Sequence, residues 1–280
     1  MENGHPEDSS ETDHTETSQV FKLAVETGVH RLRRGGLEML TSGFIAGMNV
    51  TFGVIAAGAV TGAVIGSFGN DTEQFANVLG AMLFPIGFMF VVIGRSELFT
   101  ENFLVPTASV IARRERLVTL LRLWFFTLAG NLIGALTMGK LLTIEHYHGV
   151  PSQATIQHIQ HMAEFLVIER DWDASFFAGL FAGWLITLMT WLLLTTKQVI
   201  AKIVIIWTVG FLIMINKFNH VVVNMSEIMV AYFSGNELIT LHGWLTHNFA
   251  PTILGNMFGG LIFVTTLEYL KVMRVKSLWD

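Results

Sequence analysis

Polar and charged side chains interrupt two long apolar stretches of the sequence, and these interruptions hold the residues best suited to chemistry. The first contains Arg95, Glu97, Thr100 and Glu101, and the second is centred on His220. A charge at membrane depth is costly unless it pairs or faces water. Histidine titrates near neutral pH, and a hydroxyl can donate a hydrogen bond to an anion or accept one from a histidine. The pattern indicates proton transfer and hydrogen bonding along a polar pathway inside an apolar body.

The residues at the interruptions divide into structural and pathway groups. We expect Arg95 to pair with Glu97 or Glu101 and to hold the first interruption as a structural clamp. His220 is expected to face the pathway, because it lies in one interruption opposite another. Asn224 follows His220 by four residues and shares its face if a helix resumes there. The two interruptions are therefore predicted to enclose one polar cavity.

The composition is that of a membrane protein. Apolar residues make up 52% of the 280 residues and charged residues only 14%, against about 25% charged in soluble domains. The mean hydropathy is +0.54. A net charge of −5 leaves no basic surface for nucleic acid. The chain has no cysteine, which excludes a disulfide scaffold, a thiolate metal site and a cysteine nucleophile.

The sequence predicts neither an enzyme nor a bound cofactor. It shows no nucleophile–base pair, phosphate loop or nucleophile elbow. Residues 153–169 are expected to form an amphipathic helix on the membrane surface. The polar segment 143–173 carries histidines at metal-compatible spacing, but no carboxylate pattern completes a site. We therefore expect a solvated outer loop to hold these four histidines: His146, His148, His158 and His161.

Six stretches are long and apolar enough to cross a bilayer, which takes about 20 residues. They are residues 39–66, 75–111, 117–142, 174–196, 199–233 and 247–270. Basic residues gather in alternate loops, so the positive-inside rule places both termini in the cytosol. The membrane is expected to be the plasma (inner) membrane. Residues 1–20 are acidic and nearly devoid of apolar side chains, and are predicted to be a disordered cytosolic tail. Residues 21–280 then form a single six-span domain.

The two broken spans occupy matching positions in the chain. Each is the middle span of a three-span half, and the halves begin on opposite sides of the membrane. Discontinuous helices at matching positions of inverted repeats mark transport sites, because unpaired backbone is tolerated at membrane depth only beside protein or a water-filled cavity. The predicted fold class is an all-α membrane protein with six transmembrane helices, two of them broken, in inverted three-helix repeats.

Four short motifs give the sequence a resemblance to a known family. They are FPIG at residues 84–87, ELFT at 97–100, FNHVVVNM at 218–225 and PTILGNMFGG at 251–260. In this order they resemble the signatures of the formate/nitrite transporter family, and the similarity covers residues 36–272. The resemblance implies an aquaporin-like fold, a homopentamer with one pore per protomer, and small monovalent anions such as formate, nitrite, hydrosulfide, acetate and lactate as cargo.

The resemblance also implies roles for individual residues. The loop against the pore would be formed by Leu98, Phe99 and Thr100, and the central histidine would be His220, with Asn219 and Asn224 beside it. Hydrophobic constrictions would come from Phe84, Phe88 and Ile213. The chain departs from the family pattern at Glu101, where a small residue is usual, and at Asn219, where glutamate is frequent. It also has Gly183 in place of an asparagine and no vestibule lysine near Val167.

The leading hypothesis is a channel or proton-coupled carrier for a small weak-acid anion, in contact with the lipid bilayer and with further copies of the chain. Protonation removes most of the cost of moving an anion through an apolar constriction. Two alternatives stay open. One is an aquaporin-like pore for neutral solutes, in which His220 and Thr100 only form hydrogen bonds. The other is a non-conducting scaffold or sensor whose route is plugged by Glu101.

Overall fold

The computed structural model describes residues 17–144 and 151–273, and the described part is entirely helical. Its first six α-helices are α1 (Thr17–Leu32), α2 (Gly36–Phe68), α3 (Glu73–Leu83), α4 (Pro85–Ile93), α5 (Val105–Ile111) and α6 (Leu117–Leu142). The later ones are α7 (Gln153–Glu164), α8 (Trp172–Leu194), α9 (Val199–Ile215), α10 (Val221–Phe233), α11 (Leu241–Gly243), α12 (Ala250–Gly260) and α13 (Leu267–Val272). Two 3₁₀ segments, Asn70–Thr72 and Phe99–Phe103, and three π-helical segments, Phe165–Glu169, Trp244–Phe249 and Leu261–Thr266, complete them.

Five continuous helical segments are long and apolar enough to cross a membrane: Gly36–Phe68, Asn70–Ile93, Leu117–Leu142, Trp172–Leu194 and Leu241–Val272. The shorter apolar helices α9 and α10 lie where a broken fifth span was predicted. The second predicted span differs from expectation. Its helix reaches crossing length before the interruption begins, because 24 residues at about 1.5 Å each already exceed the hydrocarbon thickness. The first interruption is therefore a segment that follows a complete helix.

Two helix pairs pack with their backbones in direct contact. α2 lies along α6, and α8 lies along α12. A methyl group at Gly47 would overlap the backbone oxygen of Asn131, and one at Gly183 would overlap the backbone oxygen of Asn256. Small residues at such crossings let membrane helices approach closely. At these positions glycine serves helix packing.

The backbone geometry of the two interruptions recurs along the chain. The non-glycine residues Arg95 and Lys217 adopt positive φ angles of 58° and 51°, at positions 122 residues apart. The following amides bond alike: Ser96 N–H donates to Val91 at 3.0 Å, and Phe218 N–H donates to Ile213 at 2.9 Å. The turns that end α5 and α10 recur at the same separation, with positive φ at residues 113 and 235. Two stretches of unrelated composition thus follow one backbone path.

The first helix begins earlier than the sequence indicated. Thr17 to Val20 were assigned to the tail, but they form the start of α1, and Val20, Phe21 and Ala24 are buried against the helical body. The tail prediction is wrong for these four residues, because an apolar face that begins at Val20 anchors the helix. Residues 1–16 lie outside the described part of the chain.

The helix predicted between residues 153 and 169 is present, but it packs on protein. α7 begins at Ser152, whose side chain accepts the N–H of Thr155 at 3.3 Å, and it lies against α2 and α10. His158 is buried on its inner face, whereas His161 is exposed. A solvated loop was therefore the wrong expectation for His158, which shares the inner face with Thr155 and Met162. His146 and His148 lie outside the described residues.

Candidate functional site

The first interruption is a buried loop held by an asparagine of a neighbouring helix. After Arg95 the chain runs extended to Leu98 and enters the 3₁₀ segment Phe99–Phe103. The amide of Asn131, on α6, accepts the N–H of Phe99 at 2.9 Å and donates to the carbonyls of Glu97 at 3.0 Å and Gly43 at 2.8 Å. One side chain therefore satisfies three backbone groups and ties the loop to α2.

The second interruption is held in the same way. Asn256, on α12, accepts the N–H of Val221 at 3.0 Å and donates to the carbonyls of Asn219 at 2.7 Å and Gly179 at 2.8 Å. The loop between α9 and α10 is thereby tied to α8, as the first loop is tied to α2. His220 is the residue from which α10 starts.

The two interruptions meet at one hydrogen bond. Oγ1 of Thr100 lies 2.6 Å from Nε2 of His220, and both residues are fully buried. Nδ1 of His220 accepts the N–H of Val223 at 3.3 Å. A ring nitrogen that accepts a hydrogen bond carries no proton, so this geometry assigns the neutral tautomer with the proton on Nε2. Nε2–H then donates to Thr100, and the threonine hydroxyl keeps its own proton for another acceptor.

Apolar side chains enclose this contact. The ring of Phe88 lies edge-on to the imidazole of His220 with the ring centres 5.4 Å apart, and Phe84 lies edge-on to Phe88 at 5.1 Å. Leu98 and Ile213 are buried in the same cluster. The hydrogen-bonded pair thus lies in a closed, water-excluding centre, where the interaction of a polar group with its partner is strengthened.

Cavities lined by cations lie beside both interruptions. One, of about 280 Å³, adjoins the first interruption, and its charged lining residues are Arg31, Arg34, Arg95, Glu97, Glu101 and Lys202. Another, of about 490 Å³, reaches the second interruption at Lys217 and is also lined by Glu73 and His158. We call these the Arg31 vestibule and the Lys217 vestibule.

The predicted clamp on the first interruption exists with different arginines. Glu97 pairs with Arg31 at 3.2 Å and with Arg34 at 2.7 Å, both from the region of α1, and Arg31 also donates to the side chain of Asn102 at 3.2 Å. The predicted pairing of Arg95 with Glu97 or Glu101 is wrong: across residues 17–144 and 151–273 Arg95 forms no ion pair within 4.0 Å. Its positive φ places it at the turn, in the lining of the Arg31 vestibule.

The remaining predicted site residues lie at both interruptions. Glu101 is 7% exposed and its carboxylate accepts the N–H of Leu98 at 3.2 Å, within its own loop. Asn219 is buried; it accepts from Arg170 at 2.5 Å and donates to Thr252 at 3.2 Å. Asn224 follows His220 on α10, and its side-chain nitrogen is buried without a partner among the described residues.

Two residues at the second interruption were missed from the sequence. Arg170, counted only as a loop charge, donates to the carbonyl of Lys217 at 2.9 Å as well as to Asn219. Glu227 is 4% exposed in α10. Its charge inside an apolar stretch was a visible signal, because ionisable residues at membrane depth are rare and mark functional positions.

No metal centre is found where the side chains are described: no group of three or more histidines, aspartates and glutamates in those ranges could hold an ion. His158 is instead kept neutral by its surroundings. Burial lowers its pKa to about 4, the neighbouring His161 adds to this effect, and the carboxylate of Glu73 opposes it. A neutral imidazole therefore lines the Lys217 vestibule near pH 7.

Comparison with known proteins agrees with this architecture. The sequence model of the family described as "Formate/nitrite transporter" matches residues 18–270. The formate channel BtFdhC of Bacillus thuringiensis is 29% identical over 248 residues, which is 88% of this chain and 91% of that protein. The chain belongs to the formate/nitrite transporter family, and with five apolar helices of crossing length it is an integral membrane protein.

Solved structures share the fold. A structure titled "FNT family ion channel" superimposes with a TM-score of 0.79 at 22% identity, covering 90% of this chain and 98% of that one. A second, titled "Pentameric formate channel with formate bound", gives a TM-score of 0.72 at 18% identity, with coverages of 85% and 98%. These likenesses show that the expected all-helical channel fold is present.

Proposed function

We propose that this protein is a homopentameric channel or proton-coupled carrier for small monovalent weak-acid anions of the formate class. The observation that carries the proposal is the buried contact between Thr100 and His220, formed where the two interruptions meet and flanked by two vestibules that each include a cation in their lining. The family relationship and the formate channel among the relatives support this cargo.

The electrostatics of the site fit an anion that crosses in its neutral form. The excess of cations in the Arg31 vestibule raises the local concentration of anions, and in the Lys217 vestibule Lys217 offers a single positive charge beside Glu73. The apolar centre around Phe88 and Leu98 opposes a bare charge, whose transfer costs several kcal/mol or more. A protonated acid avoids that cost, and the donor at Nε2 of His220 and the hydroxyl of Thr100 offer it hydrogen bonds. Flux should therefore depend on the proton.

The proposal includes an arrangement in the membrane. With α9 and α10 counted as a fifth crossing, the chain has six, and the recurrence of the two interruptions 122 residues apart is what an inverted repeat would produce. By the positive-inside rule both termini then face the cytosol, and the proposed location is the plasma (inner) membrane. The pentameric assembly of the structural neighbour supports five protomers.

Formate flux into proteoliposomes tests the function. The purified protein should take up labelled formate at a rate that rises as the external pH falls from 8 to 5.5, and Thr100→Val should lower that rate while Thr100→Ser, which keeps the hydroxyl, preserves it. Passage of uncharged solutes without pH dependence would favour the neutral-solute pore. No flux of either kind from folded protein would favour a scaffold or sensor.

A further inference from the structure

Glu227 is a buried acidic side chain that the proposed pathway does not yet use. It lies in the middle of α10 and is 4% exposed. Among the side chains that the structure describes, none donates a hydrogen bond to its carboxylate and none pairs with it within 4.0 Å. An ionised carboxylate is costly to keep in such surroundings. It is the only charged residue in α10, and its place there calls for a function.

The position of Glu227 continues the line of polar residues that starts at the centre. His220, Asn224 and Glu227 stand at positions i, i+4 and i+7, so they share one face of α10. At about 1.5 Å per residue Glu227 lies about 10 Å along the helix from His220. Between them the side-chain nitrogen of Asn224 is buried without a partner within the described ranges. This face thus offers unused hydrogen-bonding groups over two helical turns.

The cations that act on Glu227 come from the second interruption. They are Arg170 and Lys217, whose charged groups lie over the ring of Phe165 at 4.6 and 4.9 Å from its centre. Lys217 also lines the Lys217 vestibule. Glu227 therefore lies where two fixed positive charges can stabilise its ionised form.

Other charged or titratable groups on the elements packed against α10 are engaged elsewhere or exposed, except His158, which is buried in the lining of the Lys217 vestibule. α6 brings Lys140, which lies over the ring of Phe233 at 5.6 Å. α7 brings His158 and Glu164, and Glu164 accepts from Asn236 at 2.6 Å. The π-helical segment Trp244–Phe249 brings the exposed His247. In α2 the charged residue is Glu38, which pairs with Arg34, and α12 carries no charge.

We propose that Glu227 is the proton donor to the anion entering from the Lys217 vestibule, ahead of His220. This inference rests on the proposed function. The O–H bond of the Glu227 carboxyl breaks and an O–H bond of the carboxylic acid forms, so one negative charge moves from the permeant to Glu227. There it is stabilised by Arg170 and Lys217, while the neutral acid enters the apolar centre. Water in the vestibule returns a proton to Glu227, and the acid loses its proton to water on the far side.

The step explains why a carboxylate is tolerated on an anion route. An ionised Glu227 without proton exchange would repel the anion that Lys217 attracts. With exchange, the total charge of the donor and the permeant stays at −1 throughout. Each anion transported then carries one proton with it, and transport is electrically neutral.

The test measures proton movement and formate uptake together. Full-length protein in proteoliposomes, with potassium and valinomycin to balance charge, receives labelled formate at pH 6 while an internal dye reports acidification. The wild-type protein should move about one proton per formate. Glu227→Gln should lower the uptake rate about tenfold or more and lower the ratio of protons to formate. Glu227→Asp, which keeps the carboxyl group, should retain the ratio.

A matched control removes the same charge from the same region without touching the pathway. Glu237 is exposed in the segment after α10, and Glu237→Gln should leave both the rate and the ratio at their wild-type values. A Glu227→Gln variant with wild-type rate and ratio overturns the inference. If the wild-type protein itself takes up no formate, the proposed function fails. If the wild-type protein takes up formate and Glu227→Gln keeps its rate and ratio, only the inference about Glu227 fails.

A measurement on the wild-type protein covers the case in which Glu227→Gln does not assemble. A hydrophobic carbodiimide reacts with protonated carboxyl groups inside membrane proteins, and peptide mass spectrometry locates the product. Modification at Glu227 should rise as the pH falls and should reduce the rate of formate uptake in proportion. Modification of Glu227 that leaves uptake and ratio unaltered overturns the inference.

Discussion

At the scale of single residues, His220 uses its two ring nitrogens for two different tasks. Nδ1 accepts the N–H of Val223 and caps α10, while Nε2 meets Thr100. The cap fixes the plane of the ring, and the fixed ring aims Nε2–H at the pathway. The orientation of the donor is therefore set by the first turn of a helix, without help from a charged neighbour.

Replacing His220 with asparagine separates these tasks. Asparagine is a favourable N-cap residue and retains hydrogen bonding, but it has no titratable proton. We expect His220→Asn to assemble normally and to lose the rise of formate flux at low pH, by about tenfold or more at pH 5.5. The readout is the pH profile of flux in proteoliposomes.

The double variant with Glu101→Gln checks for a second donor. Glu101 is held by the N–H of Leu98, so we expect Glu101→Gln to leave the pH profile of the single variant unchanged. If His220→Asn keeps the wild-type profile and only the double variant loses it, Glu101 is the donor and the role assigned to His220 is wrong. If both variants keep it, neither His220 nor Glu101 donates the proton, which leaves Glu227 or water as the donor.

His158 provides a prediction for stability against pH. Its pKa is lowered from about 6.5 to about 4 in the folded state, so the unfolded chain binds more protons between these values and stability falls as the pH drops below 6.5. The contribution lost at pH 5 is about 2 kcal/mol. His158→Gln should flatten the decline of the melting temperature between pH 7 and pH 5, whereas the exposed His161 changed to Gln should not. An unchanged decline in His158→Gln would contradict the prediction.

At the scale of elements, the two interruptions are stabilised by side chains that stand outside them. Neither loop has a regular backbone ladder, and each relies on one asparagine from the adjacent helix for its buried N–H and C=O groups. The asparagines also reach across to α2 and α8. Each therefore joins three chain segments, which is why the loops hold one shape.

Asn131→Ala and Asn256→Ala should lower the free energy of unfolding by similar amounts. Each leaves two buried loop groups without a partner, one N–H and one C=O, because the carbonyls of Gly43 and Gly179 keep their bonds within α2 and α8. At about 1–3 kcal/mol per group we expect a loss of about 2–6 kcal/mol for either. Asn216→Ala removes an exposed asparagine with a single hydrogen bond and serves as the control. Thermal melting followed by size-exclusion chromatography measures the losses. A loss in one variant only would show that the two interruptions are not held alike.

The clamp on Glu97 gives a second prediction at this scale. Removing both Arg31 and Arg34 by alanine leaves a buried carboxylate unpaired, at a cost of about 3–5 kcal/mol. Arg95→Asn, which tolerates the positive φ, should stay within about 0.5 kcal/mol of wild type. The melting temperatures of the two variants test this prediction. An equal loss of stability in Arg95→Asn would show that Arg95 does stabilise the first interruption, as the sequence predicted.

At the scale of the whole molecule, two halves each contribute one interruption to a shared centre. Many apolar side chains face outward from the described chain, among them Phe52, Phe125, Phe177 and Ile200. A membrane and neighbouring protomers can cover such a surface. The protein as a monomer thus presents a complete centre but an uncovered exterior.

The assembly prediction follows from this exterior and from the family. Native mass spectrometry in mild detergent should show five copies of the 31.1 kDa chain. A single chain of native fold in the mild detergent would argue against the pentamer.

How much of this could be predicted from the sequence depends on the range of the contacts. Periodicity and span length located the helices, and the polar interruptions pointed to Thr100 and His220. The partners of Glu97 could not be predicted, because Arg31 and Arg34 lie more than sixty residues away in the sequence. Arg95 is close to Glu97 in the sequence and was therefore the expected partner. The start of α1 was missed because its anchoring face involves few residues. Glu227 was missed although its charge was visible in an apolar stretch.

The hydrogen bond between Thr100 and His220 also depends closely on the distance between the two halves. At 2.6 Å it is lost once the two loops separate by about 1 Å, the distance at which a hydrogen bond of this length ceases to exist. Two loops fastened by Asn131 and Asn256 to different helix pairs can separate by that amount without either loop changing shape. Breaking this contact then requires a displacement smaller than the diameter of one water molecule.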